Sequence, residues 1–143
     1  RGESINKTVD DQDVIRLYDF HSGQILKVLN PKNSDDLLTV SFSDDGKYLV
    51  SSSEDHSIHI WDLETVLSAD NPEPFYTIRD NNYYQRPRAV QMFKHADDYR
   101  IVSADFGSSF KVVSLYSLFE KRVINSYKAG DRLQFLAMSD RYI

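Results

Sequence analysis

Cysteine is absent from the 143 residues. Without a thiol there is no disulfide framework and no thiolate metal site, a composition that fits a reducing interior. An excess of positive charge is also missing. A net charge of −5 argues against wrapping nucleic acid on a general basic face, because that affinity depends on Lys and Arg neutralising phosphates. Local basic patches stay open. No apolar run approaches the roughly 18 to 20 residues that a membrane helix needs. Arg1-Gly2-Glu3-Ser4 is neither a signal peptide nor an initiator sequence, and reads as the middle of something longer.

The remainder is that of an ordinary folded domain, with 41% hydrophobic and 27% charged residues. One domain is therefore expected. Nine Tyr, eight Phe and one Trp accompany only five Gly and four Pro. Aromatic and β-branched residues recur in runs of about five, which favours strands over helices and an all-β class.

The chain repeats itself. Val14-Ile15-Arg16-Leu17-Tyr18-Asp19 aligns with Ser57-Ile58-His59-Ile60-Trp61-Asp62, which sets Tyr18 and Trp61 43 residues apart. That period suits stacked supersecondary units. A second pattern, Thr39 to Ser43 followed by Asp44-Asp45-Gly46-Lys47 and Tyr48 to Ser51, returns over Ala89 to Ser103 and begins again at Leu136 to Ile143. Strands are predicted at 14–19 and 24–29, then at 38–43, 48–53, 58–63 and 75–79. A more divergent set follows at 89–93, 100–105, 110–116 and 122–127. Asp, Gly and Ser in the first turns suit tight hairpins. The connections 64–74 and 80–88 are rich in Pro, Asn and Asp and are predicted to be loops.

Val40-Ser41-Phe42-Ser43-Asp44-Asp45-Gly46-Lys47 through Ser57-Ile58-His59-Ile60-Trp61-Asp62-Leu63 closely resembles a WD40 repeat. The resemblance is strong over 38–63, good over 14–29 and weaker over 89–127. It implies an all-β WD40 β-propeller, with about three blades of four-stranded antiparallel sheet present. Residues 1–143 then form one partial propeller: a blade end at 14–29, a complete blade at 38–79, a divergent blade at 89–127 and the start of another at 133–143. Propellers close with about four to eight blades, so further blades are expected elsewhere.

The family also implies a hydrogen-bonded set in each blade: a Trp in the third strand, a Ser or Thr in the second, an Asp in the turn between them and a His before the first. Trp61, Ser51 or Ser53, and Asp55 match three of these places. The fourth has no counterpart in Asn30 to Asp36. Such residues build the blade, since a buried indole N–H and a buried carboxylate each need partners. In the divergent blade Val113 or Tyr116 stands where Trp61 does.

Little in the sequence points to catalysis. Asp44, Asp45, Asp97 and Asp98 fall in predicted turns, where a short polar side chain caps local backbone. His56 and His59 fall in a turn and a strand, where a spacing of three directs them apart rather than toward a metal. There is no phosphate-binding glycine loop. No catalytic residue, metal or cofactor is assigned.

Tyr83-Tyr84-Gln85-Arg86-Pro87-Arg88 is placed between blades on the rim of the top face. Tyr and Arg are enriched at interface hot spots, so Tyr83, Tyr84, Arg86 and Arg88 are candidate partner-binding residues; the alternative is that one Tyr packs under the loop and the arginines pair with Asp80 or Asp97. The resemblance implies a non-enzymatic scaffold: a WD-repeat subunit of a larger eukaryotic, intracellular complex, in cytoplasm or nucleus, whose partners are other proteins or peptides. The alternative is a propeller subunit that contacts RNA or anionic lipid through basic patches near Arg79, Arg86, Arg88 and Lys94.

Overall fold

A computed structural model describes residues 13–32, 35–79, 86–105 and 111–129. The start of a further blade at 133–143 lies outside the described residues. The chain forms consecutive antiparallel sheets. The first sheet pairs β1 (Ile15–Tyr18) with β2 (Ile25–Leu29). The second is a four-stranded meander of β3 (Leu37–Phe42), β4 (Tyr48–Ser53), β5 (Ile58–Asp62) and β6 (Tyr76–Ile78). The third repeats that order with β7 (Pro87–His95), β8 (Asp98–Asp105), β9 (Lys111–Ser117) and β10 (Arg122–Ala129).

Aspartates organise the turns. Asp19 Oδ1 accepts the N–H groups of His21 and Ser22, and Asp45 Oδ1 accepts the Ser43 hydroxyl and the Lys47 N–H. Gly46 sits at φ +71° within this turn, the left-handed region that glycine enters without a Cβ penalty. Asp44 and Asp98 reach further than a local cap. Asp44 accepts the N–H of Lys94, in the next sheet, at 3.0 Å. Asp98 accepts Ser117 Oγ at 2.6 Å and the Phe119 N–H at 2.8 Å, and so fixes the turn between β9 and β10.

The sheets stack in chain order. Leu29, Leu49, Trp61 and Val66 form a buried cluster with Ile15 and Leu17, joining the first sheet to the second. Val50, Ile58, Ile60, Val90, Met92, Ile101 and Tyr116 join the second to the third. The two faces of β4 and β5 thus feed different interfaces, as period-2 alternation requires. Between the complete sheets, Ser41 Oγ donates to the Val90 carbonyl at 2.8 Å, and Ser43 bridges Met92 in parallel.

The expected loop at 64–74 starts as a helix. Asp62 caps α1 (Leu63–Ser68) by accepting the Thr65 N–H at 3.0 Å. Val66 then drops into the Trp61 cluster, which stabilises a helix too short to stand alone. Lys27 Nζ donates to the Ala69 carbonyl just after it, at 2.6 Å, which ties β2 to this connection.

Register selects between the two candidates for the third sheet's counterpart of Trp61. Leu49 lies opposite Trp61, and Ile101, which aligns with Leu49, lies opposite Tyr116. Tyr116 holds the position and Val113 does not.

Candidate functional site

Trp61 is fully buried, and its indole N–H donates to Ser51 Oγ at 3.1 Å. Without that acceptor the N–H would pay its desolvation uncompensated. Ser53 does other work. Its hydroxyl donates to the Asp35 carbonyl at 2.9 Å and accepts the Asp55 N–H at 3.3 Å, fastening the β4–β5 turn to the segment before β3.

The Asp55 carboxylate serves a separate chain of hydrogen bonds. Its Oδ1 accepts both the N–H and the hydroxyl of Ser57. Ser57 Oγ lies 2.9 Å from His59 Nε2, and His59 Nδ1 lies 3.1 Å from Thr77 Oγ1 on β6. Ser57 has one proton and gives it to the carboxylate, so Nε2 carries the imidazole proton and the Thr77 hydroxyl donates to Nδ1. Every donor therefore points toward Asp55. Burial favours the neutral imidazole and holds His59 below the usual histidine range, with the Asp55 charge opposing that shift. Burial opposes ionisation of Asp55, but the bonds from Ser57 and the charge of Arg79, 3.7 Å away, hold its carboxyl below the ordinary range.

The structure thus brings Ser51 to Trp61 and Ser53 to Asp55, and directs the carboxylate to Ser57. The contributing histidine comes from the third strand, where the resemblance implies one before the first. Sequence reading weighed His59 only as a metal ligand. The signal it missed was alternation: His59 and Trp61 share one face of β5, and Ser57 just before it keeps the same parity. Among the described residues no group of three or more His, Asp or Glu converges as a metal site.

Of the candidate partner-binding residues, Tyr83 and Tyr84 lie outside the described residues. Arg86 and Arg88 are exposed at the start of the third sheet. Arg86 Nη1 donates to Glu54 Oε1 at 3.3 Å, which sets it beside the β4–β5 turn. Arg79 faces Asp55, so two of the four cations proposed for a basic patch already face carboxylates.

Residues 23–62 match the family model described as WD domain, G-beta repeat. The matched stretch enters at the turn before β2 and leaves at Asp62, so one repeat stitches the last strand of one sheet to the first three of the next. Residues 23–62 thus carry a WD40 repeat. It is 35% identical over 78 residues to WD repeat-containing protein 82 of Drosophila melanogaster, an alignment over 50% of this chain and 25% of that protein. A WD repeat-containing protein of Dictyostelium discoideum is 40% identical over 50 residues, which cover 35% of this chain and 8% of that protein. The chain therefore spans a quarter or less of the relatives it matches. Among the described residues the chain has antiparallel sheets and no closed barrel, and no helix long and apolar enough to cross a membrane.

Proposed function

We propose that this WD40 chain acts as a non-enzymatic protein–protein interaction scaffold, a subunit of a larger intracellular complex in cytoplasm or nucleus. The observation that carries this reading is where its polar groups are spent. Ser51, Ser53, Ser57 and His59 are buried and bonded to other strands or turns, so their chemistry goes into rigidity. The family's general role in holding proteins together supports the same reading. Fold alone does not assign function, so the proposed site is Tyr83, Tyr84, Arg86 and Arg88. Arg86 and Arg88 are exposed, as a docking surface requires.

Affinity purification of the full-length protein, followed by partner identification, tests this reading. Partners are expected to be lost when Tyr83, Tyr84, Arg86 and Arg88 are all changed to alanine while the thermal midpoint is kept. Retention of every partner by the folded variant refutes the site. The RNA or anionic-lipid alternative draws on Arg79, Arg86, Arg88 and Lys94, and the carboxylates facing Arg79 and Arg86 weigh against it. No binding to RNA or to anionic vesicles is expected even at about 50 mM salt, where electrostatic attraction is strong.

A further inference from the structure

Where the turn ends of the two complete sheets meet, a cavity of about 370 Å³ opens to solvent. Aromatic rings wall it: Tyr48 at the start of β4, Phe75 and Tyr76 leading into β6, and Tyr99 on β8. The Tyr99 ring stands edge-on to Tyr48 with 4.8 Å between centroids, and Phe75 lies 6.1 Å from Tyr48 on another side. Two walls are braced from behind. The Tyr99 hydroxyl donates to Asp45 Oδ2, and the Tyr76 hydroxyl meets that of Tyr116 at 3.2 Å. The cavity is therefore assembled by the fold and needs no ligand to form.

Its surroundings are negative. Asp97 lines it, is exposed, and has no hydrogen-bond or ion-pair partner among the described residues. Burial and then the charges of Asp62 and Asp45 hold the Tyr48 phenol above its ordinary range. The neighbouring Asp98 is committed to Ser117, Phe119 and Arg100. Among the described residues that line it, Lys121 is the cation, its Nζ 5.4 Å from the centroid of the Tyr76 ring. Ring faces attract ammonium and guanidinium groups through their quadrupole, and the aliphatic stem of such a side chain packs on apolar walls.

We propose that this cavity receives a lysine or arginine side chain from an extended basic segment of a protein partner, which displaces Lys121. Carboxylates at the rim repel phosphate, so nucleic acid and anionic lipid are the wrong occupants. The cavity also differs from the larger one, about 410 Å³, beside the two-stranded first sheet. That space borders the two-stranded sheet, whereas the aromatic cavity lies between two four-stranded sheets. The proposal rests on the scaffold reading but uses the opposite end of the sheets from Arg86 and Arg88.

The test is fluorescence anisotropy of the full-length protein with a short labelled peptide in which arginine alternates with glycine and serine. The same peptide carrying neutral citrulline for arginine is the control. Phe75→Ala and Asp97→Lys change exposed side chains, so both are expected to fold with unchanged thermal midpoints and to weaken arginine-peptide binding about threefold or more. Lys121→Ala removes the internal competitor and is expected to tighten binding about threefold, a gain that a purely structural role does not produce. Equal binding of both peptides overturns the proposal, as does arginine-peptide binding unchanged in Phe75→Ala and Asp97→Lys, or weakened in Lys121→Ala. Partner loss in the quadruple alanine variant reports on the other end of the sheets, so each reading can fail while the other stands.

Discussion

Trp61 and His59 sit two residues apart on one strand face and stabilise the molecule by different means. Trp61 fills space between two sheets, and replacing it with alanine leaves a cavity expected to cost about 3–5 kcal/mol in urea unfolding. Ser51→Ala keeps the volume but strands the indole N–H, for an expected loss of about 1–3 kcal/mol. His59 makes stability depend on pH. Its folded form resists protonation, so below the ordinary histidine value of 6.5 the unfolded chain binds a proton that the folded chain does not, and stability falls. Asp55 adds a second decline: its carboxyl is held below the ordinary 3.8, so its contribution is complete above that value and lost as pH falls through the lower folded one. Urea midpoints measured from pH 7.5 down to pH 5 should decrease for the parent, and the decrease should be smaller in His59→Gln. An equal decrease in both would remove His59 from this role.

At the scale of elements, the turns were legible because their chemistry is local. Asp45 Oδ1 and Gly46 serve the turn that contains them, and Gly46→Ala, with open space around the new methyl, should still cost about 1–2 kcal/mol from its left-handed backbone alone. The short helix was not legible. Asp62-Leu63-Glu64-Thr65 carries an N-cap signal, yet a helix of six residues is too brief for periodicity to register, and the prolines that follow dominate the composition. Its existence depends on Val66 finding Trp61 and Leu49. Asp62→Ala is accordingly expected to lower stability by about 1 kcal/mol, with faster amide exchange at Thr65 than in the parent.

For the whole molecule, what matters is that each sheet offers one face to its predecessor and the other to its successor. Tyr18 and Trp61 hold matching places in the repeat, yet Trp61 is fully buried and Tyr18 is 56% exposed, because among the described residues no sheet covers the outer face of the first pair. Loss of partners in the quadruple alanine variant and arginine-peptide binding at the aromatic cavity are both predictions at this scale, since Arg86 and the aromatic cavity each lie where separate sheets meet. The 43-residue offset and the alternation of apolar residues pointed to the strands, and the motif over 38–63 to the WD40 resemblance, because strand pairing and hairpin turns are written in neighbouring residues. The polar chain from Thr77 to Asp55 and the convergence of Tyr48, Phe75, Tyr76 and Tyr99 were decided only by tertiary structure. Both depend on the register of strands joined by long connections and on how closely two sheets approach, which no local pattern encodes.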